Sequence, residues 1–63
     1  NFYHFINSYR IAHFKEEIEK PENQNFSIEG LAAECGFKSK STFYTAFKKL
    51  EGITPKQYQS GLK

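Results

Sequence analysis

A chain of 63 residues with 38% hydrophobic side chains, among them seven Phe and four Tyr, can form one small domain with an aromatic core and is not expected to be disordered. Its net charge of +2 is uneven, since residues 1–36 carry three basic and six acidic side chains and residues 37–63 carry six lysines and one glutamate, which indicates a polyanion partner for the second part. No apolar run approaches a membrane span of roughly 18 residues. The single cysteine and two histidines provide neither an internal disulfide nor a set of metal ligands. We therefore expect a cytoplasmic protein with no membrane partner and no cofactor.

The first predicted element is a long helix from about Phe2 to Lys20. It ends before the polar segment PENQN, residues 21–25, because proline cannot continue a helix. At about 100° per residue, its apolar side chains form two groups on nearly opposite sides. One group contains Phe2, Phe5, Ile6 and Tyr9, and the other contains Ile11, Phe14 and Ile18. The 43 residues after Lys20 are too few to cover both sides, so we expect the first group to contact something outside this chain or a second copy of it.

The second predicted element is a short helix with Ser27 as its N-cap, since a serine hydroxyl can accept a hydrogen bond from the first turn. Glu29 complements the positive end of the helix dipole. The buried face is predicted from the spacing i, i+3, i+4 and i+7 of Ile28, Leu31, Ala32 and Cys35. Gly36 ends this helix, because glycine readily adopts the left-handed conformation that follows a last turn.

The third predicted helix begins after its N-cap Ser39 and ends before Gly52. Its core face repeats the same spacing with Phe43, Ala46, Phe47 and Leu50. The other face consists of Lys40, Ser41, Tyr44, Thr45 and Lys48. A fourth helix has Thr54 as N-cap and Pro55 at its first position, where the missing N–H of proline has no cost. The chain is therefore predicted to be all-α, a long helix followed by three short helices.

Two short helices joined by the turn GFKS, residues 36–39, match the helix-turn-helix unit that binds DNA. In that unit the second helix, here about residues 40–50, lies in the major groove with its N-terminal residues toward the bases. Lysine can donate to guanine O6 or N7, and serine and threonine can bond to several base edges. A threonine methyl or a tyrosine ring, here Tyr44, can pack on the thymine methyl. The polar face of the third helix is therefore a candidate base-reading surface.

The segment LAAECGFKSKSTFYTAFKKLEGITPKQY, residues 31–58, resembles the signature of the AraC/XylS family of bacterial transcription regulators. That signature runs as Ile/Leu-Ala, Gly-Phe, Ser-x-Phe, Phe-Lys-Lys, Gly-x-Thr-Pro and Tyr, and each of its elements is present here at the expected spacing. Upstream, FINSYRIAHFKEEI, residues 5–18, is similar to the helix that links the two helix-turn-helix units of the family, with Arg10 and Ile11 at its Arg-Leu pair.

The resemblance implies a homeodomain-like helix-turn-helix fold, in which residues 1–20 are the linker helix and residues 27–63 are the second subdomain of a DNA-binding domain. The absence of methionine is in keeping with a chain that belongs to a longer protein. The implied function is sequence-specific binding of double-stranded DNA in the bacterial nucleoid. Besides DNA, the implied partners are the first helix-turn-helix subdomain of the same protein and, as a further candidate, RNA polymerase.

The candidate DNA contacts form two sets. The resemblance places Lys40, Ser41 and Thr45 at base-reading positions, and Ser39 and Lys48 are suited to phosphates. The free N–H groups at the starts of the second and fourth helices add further candidate phosphate contacts, namely Ser27, Thr54 and Lys56. Two residues depart from the family pattern, since Thr45 stands where arginine is frequent and Phe14 stands where a small residue is usual.

A second interpretation of the sequence is a protein interaction module. In it the Phe2, Phe5, Ile6 and Tyr9 side binds another protein, and the lysines only keep the chain in solution. An enzyme is not expected, because the sequence has no acid/base pair, no nucleophile with a base and no phosphate-cradling loop. The helical spacing assigns Phe43 and Phe47 to the core rather than to base stacking. For Arg10, a phosphate contact and an internal ion pair both stay open.

Overall fold

The computed structural model describes residues 2–61, which form four α-helices and one short 3-10 helix. These are α1 (Phe2–Ile18), the 3-10 helix (Pro21–Asn23), α2 (Ile28–Glu34), α3 (Lys40–Glu51) and α4 (Pro55–Gly61). No strand occurs in this part of the chain. The all-α prediction of one long helix followed by three short ones is confirmed. Residues 1, 62 and 63, which the predicted domain bounds include, lie outside the described residues.

α1 ends at Ile18, earlier than the predicted Lys20, because Lys20 precedes a proline. The ring of a proline disfavours helical backbone at the residue before it, and Lys20 is extended, with φ −77° and ψ 129°. Lys20 Nζ lies 2.6 Å from Glu17 Oε2, and Asn23 Nδ2 donates to the Glu17 carbonyl oxygen at 2.9 Å. The hydrogen bond from Lys20 lowers the pKa of Glu17. These contacts hold the connection against the last turn of α1.

Each predicted N-cap accepts a hydrogen bond from the backbone N–H three residues further along. The distances are 2.9 Å for Ser27 Oγ and 3.1 Å for both Ser39 Oγ and Thr54 Oγ1. At α4, Gln57 Oε1 also accepts from the Thr54 N–H at 2.9 Å, which completes a capping box. Gly52 ends α3 in the left-handed conformation, with φ 81°. The predicted starts of α2, α3 and α4 and the predicted end of α3 are confirmed.

The core lies where α1, α2 and α3 meet, and phenylalanine fills most of it. Phe14, Phe43 and Phe47 are fully buried. The ring centroid of Phe14 lies 4.8 Å from that of Phe43 and 5.7 Å from that of Phe47, in the tilted and edge-to-face arrangements that aromatic pairs prefer. The other buried hydrophobic side chains are Ile11, Leu31, Ala32, Cys35, Phe37 and Ala46. This packing confirms the predicted core faces and fixes which side of α3 points outward.

The first half of α1 has an apolar face that the rest of the described chain leaves open. Phe2, Phe5 and Tyr9 are 71%, 67% and 69% exposed, and Ile6 is half-buried. The second half of α1 behaves differently, since Ile11 and Phe14 are buried. The prediction of a helix with one face in this core and another face left uncovered is confirmed.

Arg10 lies against the turn between α2 and α3. Gly36 in that turn has φ 106°, a conformation that side chains with a Cβ rarely adopt. The Arg10 guanidinium carbon lies 5.9 Å from the centroid of the Phe37 ring, within range of a cation–π contact. A Cβ at position 36 would lie 3.0 Å from Arg10 Nε. The structure thus gives Arg10 a packing role at the turn that the sequence did not indicate.

Gly36→Ala is expected to lower the free energy of unfolding by about 1–3 kcal/mol, because the left-handed backbone is strained with a Cβ and the Arg10 side chain must move. Gly52→Ala is the matched control, since its φ is 81° but nothing lies within 4 Å of the added Cβ. We expect a loss of about 1 kcal/mol for that variant. Urea denaturation followed by circular dichroism measures both. Equal losses would mean that the contact with Arg10 contributes nothing.

Candidate nucleic-acid interface

α3 directs one strip of side chains away from the core. Phe43 and Phe47 are buried, and successive residues of a helix turn by about 100°, so the opposite side carries Ser41, Thr45 and Lys48. All three are exposed. Hydroxyl groups can donate to or accept from base edges, and an ammonium group can donate to bases or phosphates. These three residues, named here the outer strip, lie together as the sequence predicted.

Lys40 and Tyr44 lie at the border of the outer strip nearest α2. The Tyr44 hydroxyl donates to Glu29 Oε2 at 2.8 Å, and Lys40 Nζ lies 3.7 Å from the same oxygen. Lys40 Nζ also lies 5.9 Å from the centroid of the Tyr44 ring. The hydrogen bond from Tyr44 lowers the pKa of Glu29 and raises the pKa of Tyr44 itself. Lys40 and Tyr44 are therefore set apart from the outer strip, because both contact the Glu29 carboxylate of α2.

Sequence reasoning gave Glu29 only a role in complementing the helix dipole. Its position in the first turn of α2 places it beside the start of α3. A partner for the Tyr44 hydroxyl could be expected, since a buried tyrosine hydroxyl usually has one. The sequence did not indicate that this partner is Glu29.

On the other side of the outer strip, a concavity of about 390 Å³ separates α3 from the first half of α1. It is lined by Asn7, Ser41, Thr42, Thr45, Ala46 and Lys49. Thr42 and Lys49 are exposed and were not among the predicted contacts. Their helical positions border the outer strip, but only the placement of α1 shows that they face the concavity. Together they extend the polar surface of α3 toward α1.

The candidate phosphate contacts are dispersed over three helix starts and the surface of two helices. The hydroxyl oxygens of Ser27, Ser39 and Thr54 already accept hydrogen bonds as N-caps. The Ser39 hydroxyl in addition donates to Thr42 Oγ1 at 2.9 Å. Lys56 is exposed in the first turn of α4. A phosphate contact by any of these residues stays a prediction.

Polar contacts from α1 and from Glu19 just after it also hold the end of α3 and the middle of α4. Lys15 Nζ lies 3.0 Å from Glu51 Oε1 in the last turn of α3 and 5.8 Å from the centroid of the Tyr58 ring. The Tyr58 hydroxyl donates to Glu19 Oε2 at 3.1 Å. α3 is therefore connected by polar contacts to α2 near its start and to α1 at its end.

Other kinds of site find little support in the described residues. Cys35 is buried, and this burial raises the pKa of its thiol. Across residues 2–61, no group of acidic, histidine and cysteine side chains could hold a metal ion. Within the same residues, no helix has the length and apolar character needed to cross a membrane.

This chain is similar to known helix-turn-helix proteins. Residues 1–61 match the family described as "Helix-turn-helix domain". Similar curated proteins include uncharacterized HTH-type transcriptional regulators of Staphylococcus aureus strains COL and MSSA476, each 36% identical over 58 residues. The aligned region covers 92% of this chain and 7% of each relative, so the chain spans a small part of their length. No solved structure matches the chain. The chain belongs to the AraC-type helix-turn-helix family of transcription regulators.

Proposed function

We propose that this chain is the linker helix and second helix-turn-helix subdomain, residues 1–20 and 27–63, of a bacterial transcription regulator, and that it binds double-stranded DNA with α3 in the major groove. The observation that carries the proposal is the outer strip, whose hydroxyl and ammonium groups are held outward by buried Phe43 and Phe47. The major groove admits an α-helix and presents a distinct set of donors and acceptors for each base pair.

In this proposal, the position of each residue on α3 determines which part of the DNA it contacts. Ser41 and Thr45, at the centre of the outer strip, contact base edges, and Lys40 reaches guanine from the N-terminal end of the helix. Tyr44 contributes its ring edge at the α2 border. The proposed phosphate contacts, which position the subdomain without reading sequence, are Ser27, Ser39, Lys48, Thr54 and Lys56.

The open apolar face of α1 is proposed to contact the first helix-turn-helix subdomain of the same protein. Phe2, Phe5 and Tyr9 are exposed, and a second reading unit joined through α1 would raise the effective concentration of this one at its own groove. RNA polymerase is the further partner that we propose for the full regulator. An interaction module that binds only protein would use the same apolar face but would not require the outer strip.

The test is a titration of a fluorescently labelled random-sequence DNA duplex at several salt concentrations. If two to four phosphates are neutralised, the logarithm of the association constant should fall against log[salt] with a slope of about −1.8 to −3.6. This corresponds to an affinity loss of about 10- to 150-fold between 50 and 200 mM salt. Lys48→Gln should make this slope shallower by about one. Lys20→Gln, the same change of charge beside the 3-10 helix, should leave it nearly unchanged. Absence of binding at low salt, or a slope of zero, would favour the interaction module.

A further inference from the structure

One acidic side chain lies at the border of the proposed DNA-binding surface. Glu29 Oε2 accepts a hydrogen bond from the Tyr44 hydroxyl at 2.8 Å and lies 3.7 Å from Lys40 Nζ. The Glu29 and Lys40 side chains are 42% and 68% exposed, so solvent and DNA can reach both. A carboxylate at this position repels phosphate. It is unexpected beside α3, whose charged residues are all lysines except Glu51 at its last position.

The two contacts made by Glu29 have different consequences. The hydrogen bond from Tyr44 joins α2 to α3 and fixes the carboxylate close to the helix start. Lys40, at the first position of α3, is then paired with a negative charge before DNA arrives. A lysine paired in this way adds no net charge to the surface, so it gains little by moving to a phosphate.

We infer that Glu29 is a positioning residue that determines specificity, because it withholds Lys40 from phosphates and leaves it available for a base edge. This inference rests on the proposed function. An ammonium that stays near Glu29 Oε2 can still donate to guanine O6 or N7. Without the carboxylate, the same ammonium would neutralise a phosphate on any sequence. Glu29 therefore weakens binding to random DNA more than binding to a preferred site.

The same geometry accounts for the tyrosine at position 44. Its ring packs 5.4 Å from Phe43, centroid to centroid, while its hydroxyl reaches Glu29. The ring face lies under Lys40 Nζ at 5.9 Å. Beside Lys40, a small cavity of about 90 Å³ is lined by residues of both helices and the turn between them, among them Glu29, Phe37 and Ser39.

The test compares Glu29→Gln with Glu34→Gln on a random-sequence duplex. The amide oxygen of glutamine can still accept from the Tyr44 hydroxyl, so the variant removes the charge and keeps the acceptor. Glu34 is an exposed glutamate on the same helix and is the matched control. We expect Glu29→Gln to steepen the salt slope by about one and to raise affinity about tenfold at 50 mM salt. Glu34→Gln should raise affinity less and leave the slope nearly unchanged.

Lys40→Gln, made in the wild-type chain and in the Glu29→Gln variant, tests whether Glu29 acts on the salt slope through Lys40. In the wild-type background it should change the slope on random DNA very little, whereas in the Glu29→Gln background it should return the slope to the wild-type value. A selection from duplexes with a randomised centre should give weaker sequence enrichment with Glu29→Gln than with the wild-type chain. Circular dichroism of each variant checks that it is folded.

The outcomes separate this inference from the proposed function. If the wild-type chain does not bind DNA at low salt, the proposed function fails and the inference fails with it. If the chain binds but Glu29→Gln and Glu34→Gln give the same slope, or if Lys40→Gln alone makes the wild-type slope shallower by about one, only the inference is overturned. The measurement on Lys40→Gln keeps the native Glu29, so it tests the inference even if the Glu29→Gln variant does not fold.

Discussion

Phe47→Ala is expected to unfold most of the domain at 25 °C. Phe47 is fully buried, and its ring packs against those of Phe14, Phe43 and Tyr58 at centroid distances of 5.7, 5.8 and 5.7 Å. Truncating a buried phenylalanine costs about 3–5 kcal/mol, and a core in a chain of this size rarely supplies more than about 3–5 kcal/mol in total. Urea denaturation and thermal melting by circular dichroism measure the effect.

The control for this prediction is Phe5→Ala, since Phe5 lies on the open face of α1 and is 67% exposed. We expect its free energy of unfolding to stay within about 0.5 kcal/mol of the wild-type value. A folded Phe47→Ala variant with an unchanged melting temperature would contradict the aromatic core. An equally large loss for Phe5→Ala would show that the face of α1 is covered in solution, for example by a second copy of the chain.

Thr45→Arg is expected to tighten DNA binding by about 5- to 150-fold at a site with guanine opposite position 45. Thr45 is exposed at the centre of the outer strip, and its side chain is much shorter than that of arginine. Arginine contacts guanine O6 and N7 through two parallel hydrogen bonds, which is worth about 1–3 kcal/mol of discrimination. Selection from duplexes with a randomised centre, followed by titration of the enriched sequence, measures both affinity and preference.

Two variants separate the arginine contact from its charge. Thr45→Lys adds the same charge without the planar fork and should steepen the salt slope with a smaller gain in guanine preference. Ala12→Arg adds the charge on an exposed position of α1 and should change neither quantity much. If all three variants bind alike, only net charge matters, and the proposed placement of α3 in the major groove loses its support.

Much of the candidate site could be predicted from the sequence. The spacing of Phe43 and Phe47 fixed the buried side of α3, and the outward direction of Ser41, Thr45 and Lys48 follows from helix geometry alone. The same reasoning failed to separate Tyr44 from the outer strip, because its helical angle lies between the core and the strip. Which way such a border residue turns depends on what the neighbouring helix offers, here the Glu29 carboxylate.

The sequence by itself determined the features that depend on interactions within a few residues along the chain. Ser39 caps α3 and Gly52 ends it with φ 81°, because a cap hydroxyl and a left-handed glycine act within one turn of helix. The two apolar groups on α1 also predicted one buried and one open face, because helix periodicity alone places them on opposite sides. The predicted end of α1 lay two residues beyond Ile18, because Pro21 disfavours helical backbone at Lys20.

Only the tertiary structure decided which distant side chains meet. Tyr44 and Glu29 are separated by 15 positions and Lys15 and Glu51 by 36, and Arg10 reaches Gly36 from another helix. These contacts depend on the angles and distances at which α1, α2 and α3 cross. Those angles are set by how large side chains such as Phe14 interlock in the shared core, and no local pattern along the chain contains that information.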